Sequence, residues 1–212
     1  MNVSKPEIND ELSVTIFDTT NISLSYEDKQ IDKQVSTNLQ LQNIEILQTI
    51  ITNCNFQESN FTGSKLRDVI IKSSNLTACK LSDSKLNRVK FDGCRMQGID
   101  FNSSELLDVE FINCNLDLSN FRMANLRSVK FTNCTMIESE FTSSDIKDII
   151  FNDCMLERIN LVDIKSKNVD LTGSQIINVD GIKGLKAMTI DYTQLVSLAP
   201  ELALSLGIKI KN

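Results

Sequence analysis

The nucleophiles of this chain recur at regular spacing. Six cysteines stand at 54, 79, 94, 114, 134 and 154, and serines stand at 59, 64, 74, 84, 104, 119, 139 and 144. Activating a serine or a thiol takes a neighbouring base or cation. The commonest base is excluded outright, because the 212 residues include no histidine. Zinc is disfavoured for the same reason: the chain lacks the imidazole ligand and a Cys-x-x-Cys pair. No phosphate loop or dinucleotide fingerprint occurs. Neither a catalytic residue, a metal site nor a cofactor is expected, and an enzyme is a distant reading.

The spacing has to be explained by the elements that carry it. From Leu41 a large apolar residue returns every five positions: Leu41, Ile46, Ile51, Phe56, Phe61, Leu66 and onward to Leu161. Ser166 breaks the series, and Leu171 and Ile176 resume it. Nine of the ten phenylalanines lie in this register. Two positions earlier runs a second series of small or β-branched residues, which contains every cysteine and the serines above. Five is neither the helix period nor the strand period. Two inward residues flanking one outward residue make a three-residue strand, and the other two residues turn a corner. Gly63, Gly93, Gly98, Asn113, Asn133, Asp153 and Gly173 fall at these corners and are turn-forming types.

Four corners close a square coil of 20 residues, so a second period of 20 is expected. Positions 69, 89, 109, 129, 149 and 169 read Val, Val, Val, Val, Ile, Val, and positions 91, 111, 131 and 151 are all Phe. The fold class is therefore an all-β solenoid, in which like residues stack one coil apart. Residues 41–180 hold seven coils and make a rod about 30–35 Å long. Cysteines stacked ~4.8 Å apart fall inside the disulfide window. A small hydrophobe filling the slot that Ser or Ala fills elsewhere is the simpler reading.

Asn55-Phe56, Asn60-Phe61, Ser119-Asn120-Phe121 and Ala124-Asn125-Leu126 resemble the A(D/N)LxX consensus of the pentapeptide-repeat family. The resemblance implies a right-handed quadrilateral β-helix. The ends lack the period. Residues 1–40 are read as an N-terminal tail and cap, with 1–12 loose and 13–40 forming short strands over the first coil. Residues 181–212 are read as a C-terminal cap and dimerisation helix. Ala187–Ile190 suits a last strand, Asp191 or Thr193 an N-cap, and Gly207 a C-cap before a final strand with Ile208 and Ile210. Pro200 predicts two short helices, with the proline at the first position of the second.

This ending, from Leu185 to Ile210, resembles that of the Qnr-type quinolone-resistance proteins, Gram-positive chromosomal members above all. That resemblance implies a homodimer joined through the C-terminal helix and a partner among the type II topoisomerases, DNA gyrase or topoisomerase IV. Leu195, Leu198, Leu202 and Leu206 are the expected dimer interface. The coils run in register from 51 to 161, so the loops that interrupt them in many members of that group are missing.

Charge divides along the rod. Residues 64–95 carry eight basic and three acidic groups, and residues 96–163 carry twelve acidic and five basic. A net charge of −6 argues against direct nucleic-acid binding. No apolar run is long enough for a membrane span, and residues 1–20 show no signal peptide, so a cytoplasmic protein is expected. Asp100, Asp117, Glu138, Glu140 and Asp163 are the candidate acidic partner-binding surface. The alternative is an interaction scaffold of unknown partner that uses the basic belt at 64–95.

Overall fold

Six eight-residue strands follow one another at intervals of 20 in the computed structural model, which describes residues 2–18 and 25–209. They are Glu45–Thr52, Lys65–Lys72, Lys85–Asp92, Glu105–Ile112, Asn125–Thr132 and Asp145–Asn152. Each pairs in parallel with the next, residue i opposite residue i+20. Every strand bends once and so supplies two sides of the coil, face 1 centred on Leu66 and Leu86 and face 2 on Phe91 and Phe111. Face 3, centred on Leu116 and Met136, and face 4, centred on Phe121 and Phe141, are joined by single bridges such as Asn75↔Arg95 and Asn60↔Lys80. The solenoid is thus four-sided and, among the described residues, counts ten strand layers, from Ser13–Val14, which pairs with Lys29–Asp32, to Lys165–Asp170 and Met188–Thr189.

The corners explain the period of five. Gly63, Gly93, Gly98, Asn113, Asn133, Asp153 and Gly173 all have φ between 51° and 80°. That left-handed conformation is disfavoured for most residues. Here the coil ladder enforces it: the N–H groups of Gly63, Gly93, Gly98, Asn113 and Asn133 each donate to a carbonyl one coil onward, as Asn113 N does to Thr132 O at 3.0 Å. Gly173 N, at the last coil, donates to the Asp191 carboxylate at 3.1 Å.

The large apolar series and the series of small or β-branched residues both point inward and are buried along the coils. Phe91, Phe111, Phe131 and Phe151 stack with ring centroids 4.8–5.0 Å apart and nearly parallel. Phe101, Phe121 and Phe141 form a second stack at 4.9–5.1 Å. The two stacks meet edge to face, so Phe111 and Phe121 are each held by four other rings and Phe131 by three.

The N-terminal end differs from the sequence reading in two ways. Ser25–Glu27 and Lys29–Asp32 pair with Glu45–Thr52 in the same register, so the ladder crosses the division drawn at residue 40. Tyr26, Ile31 and Leu41 fill the inward columns of this extra coil, while Ser36 occupies the place that Phe56 takes one coil on and hides the period. Phe17, the phenylalanine outside the register, plugs the open end against Tyr26, Phe56 and Phe61. The buried Gln34 amide donates to Phe17 O and accepts from Phe17 N, both at 2.9 Å.

Residues 2–12 are not a loose tail. They run lengthwise along the corner between faces 1 and 2. Ser4 N donates to Asp108 at 3.3 Å, Glu7 N to Asp68 at 3.0 Å, and the Asn9 amide to Asp28 at 2.6 Å. Val3 is buried.

At the C-terminal end a 3-10 turn, Ile182–Leu185, precedes Met188–Thr189, which pairs with the Lys165–Asp170 strand. Asp191 then caps a single helix α1, Tyr192–Ser205, through a reciprocal capping box with Gln194. The amide of the buried Gln194 also donates to the carbonyls of Leu171 and Ser174, which the last coil would otherwise leave without a partner. The expected break at Pro200 does not occur. Pro200 and Val196, whose carbonyl loses its helical donor, are both on the exposed side, and the buried Leu198 and half-buried Leu202 hold the helix on the coil end. Gly207, at φ 76°, closes α1 in a Schellman arrangement: Ile208 N donates to Ala203 O and Gly207 N to Leu204 O. Ile208 lies in no strand, and Ile210 lies outside the described residues. Among the described residues, no helix is long and apolar enough to cross a membrane.

Candidate functional site

The recurring nucleophiles serve the backbone. Ser64 Oγ accepts from Ile44 N at 3.3 Å and donates to Leu41 O at 3.4 Å. Ser84 repeats the pattern on Ser64 N and Phe61 O, and Ser174 on Cys154 N and Phe151 O. Cys94 and Cys134 occupy equivalent slots and donate to Ile71 O and Phe111 O at 3.4 and 3.5 Å. Cysteine and serine thus interchange because the slot wants a small side chain with one weak donor.

All six thiols are free and buried. Burial raises Cys54 and pushes Cys79 up to about 12. The sulfurs of Cys134 and Cys94, together with burial, hold Cys114 up. A thiolate in this dry column would lack solvation, so the thiols are expected to resist reagents. In native protein a disulfide-exchange chromophore should label fewer than one cysteine per chain, against all six after denaturation. Rapid native labelling at Cys94, Cys114, Cys134 or Cys154 would mean that the column opens.

The expected acidic surface is largely brought together. Asp100 and Glu140 lie in one outward column of face 4, and Asp117 and Glu138 lie along its edge with face 3. Asp163 sits one coil further on, at the corner with face 1, and is exposed. Several of these carboxylates also have structural duties. Asp100 accepts from Asn102 N and from the Asn120 amide. Asp117 accepts from Ile137 N at 2.9 Å and from the Asn115 amide. Glu138 pairs with Arg158 at 2.7 Å, and Glu140 accepts from the Thr142 hydroxyl. Each remains at least partly exposed.

The basic belt is less free than its composition implies. Lys65 pairs with Glu45 at 2.8 Å, Lys85 with Glu105 at 2.9 Å, and Arg88 with Asp68 at 2.6 Å. These cross-coil pairs leave the belt close to neutral on face 1.

Of the four leucines expected at a dimer interface, Leu198 is spent within its own chain. It is fully buried under the last coil, because the solenoid end needs an apolar lid. Leu202 packs against the same core. Leu195 and Leu206 are exposed, together with Tyr192, Val196, Leu204 and Ile208. The apolar face offered outward is therefore rotated from the expected one.

Sequence reasoning passed over two residues. Leu118 and Met123 stand at successive corners on either side of face 4, at 51% and 56% exposure. Their signal was their position in the corner series, where turn-forming types are the rule. Among the described residues, no group of three or more Cys, Asp and Glu side chains stands ready to hold a metal ion.

A model of the pentapeptide repeat region matches residues 44–111 and 84–161, together more than half of the chain. Solved structures with this fold include QnrB1, a plasmid-mediated fluoroquinolone resistance protein. A trypsin-treated, singly substituted form of QnrB1 is 22% identical over 87% of this chain and 90% of that one, with a TM-score of 0.55. Full-length QnrB1 gives the same identity and coverage with a TM-score of 0.51. HetL from the cyanobacterium Nostoc sp. strain PCC 7120, involved in regulation of heterocyst differentiation, is 14% identical over 77% of this chain and 87% of that one, at 0.46. No curated protein sequence matches the chain.

Proposed function

Since the chain belongs to the pentapeptide-repeat family, we propose that it is a non-enzymatic binding protein whose face 4 engages a type II topoisomerase, DNA gyrase or topoisomerase IV, in place of DNA. In this reading it acts in the cytoplasm and protects the enzyme from quinolones. The observation that carries the reading is the gathering of Asp100, Asp117, Glu138 and Glu140 on one side of mid-rod, with Asp163 beyond them. A rigid rod bearing carboxylates along one face suits a groove built to hold phosphates. QnrB1, a fluoroquinolone resistance protein by its description, shares the fold and motivates the choice of enzyme. A second copy docked on the exposed apolar side of α1, through Leu195, Val196 and Leu206, would double the rod and place two acidic faces toward its centre.

The test is gyrase supercoiling in ciprofloxacin, with and without the protein. Added protein is expected to restore supercoiling, and Glu138→Lys with Glu140→Lys is expected to weaken binding to gyrase, as is added salt. Lys65→Glu on face 1 should matter less. Unchanged binding in the double reversal would remove DNA mimicry and leave a scaffold with another partner. Light scattering at the single-chain mass, 23.8 kDa, at micromolar concentration would remove the dimer.

A further inference from the structure

Charge alone is a weak basis for recognition by face 4. Its three central coils, residues 97–103, 117–123 and 137–143, hold four acids against Arg122 alone. Three coils span about 14 Å, and duplex DNA of that length carries about eight charges. A partner that bound through carboxylates alone would meet far less charge here than DNA offers.

The same coils carry an anomaly. Among the described residues, 28 non-glycine residues have positive φ, and nearly all are polar, charged or alanine. Leu118, at φ 59°, and Met123, at φ 54°, are the bulky apolar exceptions. The left-handed conformation suits Gly, Asn and Asp and penalises a bulky side chain. Both side chains are more than half exposed, so neither offsets its backbone cost by burial in its own chain. The two are separated by a single face, with the buried Ser119 and Phe121 between them, and both project from the middle coil of the acidic segment. The half-buried Ile137 lies one coil on, beside Leu118.

We infer that Leu118 and Met123 are the apolar anchors of face 4, and that their occupant is a protein surface whose basic side chains surround an apolar recess. Charge complementarity fixes the chemistry of the occupant: Asp117 and Glu138 stand beside Leu118, Asp100 and Glu140 lie on the face between the two anchors, and together they call for Lys or Arg on the partner. A well-packed apolar centre inside a charged rim is the usual anatomy of a protein interface, and nucleic acid offers no such recess. This inference rests on the reading of face 4 as a partner surface, and it separates recognition into a charged rim and an apolar centre.

The variant Leu118→Asn with Met123→Asn tests it, because asparagine accepts the left-handed corner more readily than leucine or methionine. Its melting midpoint is expected to equal or exceed that of the unaltered protein, which excludes misfolding as a cause of lost binding. Binding is measured to intact DNA gyrase on a biosensor surface. The double variant is expected to bind at least about ten-fold more weakly. Equal binding within about two-fold, alongside loss in Glu138→Lys with Glu140→Lys, would overturn the anchors and leave the acidic reading standing. Absence of gyrase binding by the unaltered protein would overturn the partner reading and the anchors together.

Discussion

Phe111→Ala is expected to destabilise the protein by about 3–5 kcal/mol, through lost transfer energy and the cavity left behind. Phe111 is fully buried in the interior of one aromatic stack and lies against the other. It stacks on Phe91 at 5.0 Å and Phe131 at 4.9 Å, and meets Phe101 and Phe121 edge to face at 6.1 and 6.5 Å. The surrounding coils cannot close the gap, because each is fixed to its neighbours by a parallel ladder on both sides. Phe111→Leu keeps most of the volume and should cost less than about 1.5 kcal/mol. Chemical denaturation of both variants measures the difference. A midpoint for Phe111→Ala within error of the unaltered protein would contradict the stacked register.

That column was visible in the sequence because the fold is a local rule applied many times. Each pentapeptide makes one strand and one corner, and the coil ladder then aligns positions 20 apart. The inward Phe, Leu and Val columns and the corners at Gly63, Asn113 and Asp153 follow from that rule. The ends obey no repeat, and there the reading lost its hold. Ser36 interrupts the apolar column, so the short strands expected over the first coil do not show in the sequence as a further coil in register, the one holding Tyr26 and Ile31. Pro200 was read through its local preference, but Gln194 and Leu198, buried under the last coil, hold one continuous helix across it. The acidic surface was legible as composition, since columns place Asp100 and Glu140 together. What each carboxylate bonds to depends on neighbours one coil away, and so the Glu138–Arg158 pair was not. Leu118 and Met123 kept the apolar period intact, and only their residue types, out of place at corners, marked them.

Asp68 shows how far a single carboxylate departs from its sequence appearance, and Asp68→Ala is expected to cost about 1.5–3 kcal/mol through loss of its charge-assisted hydrogen bonds to the partly exposed Arg88. Asp68 is only 3% exposed. Arg88 grips it with two hydrogen bonds of 2.6 Å from one coil on, and Glu7 N donates to it from the N-terminal strap. The strap fits by length: three extended residues, about 10 Å, match two coils, so Ser4 and Glu7 reach Asp108 and Asp68 in turn. Burial works to raise the Asp68 pKa. The Arg88 hydrogen bonds, the Glu7 N–H and the charges of Arg88 and Arg67 outweigh it and hold the carboxyl below its usual range. A group depressed in the folded state contributes stability above its unfolded pKa, near 4, and loses it as pH falls through the folded value. Asp68→Ala should therefore destabilise at neutral pH and progressively less below about pH 4. Deleting residues 2–9 removes the Glu7 donor and lets water reach the pair, so the deletion and Asp68→Ala should be less than additive in a double-mutant cycle. Strict additivity, or a penalty for Asp68→Ala that is unchanged in acid, would mean that the strap and the ion pair act independently.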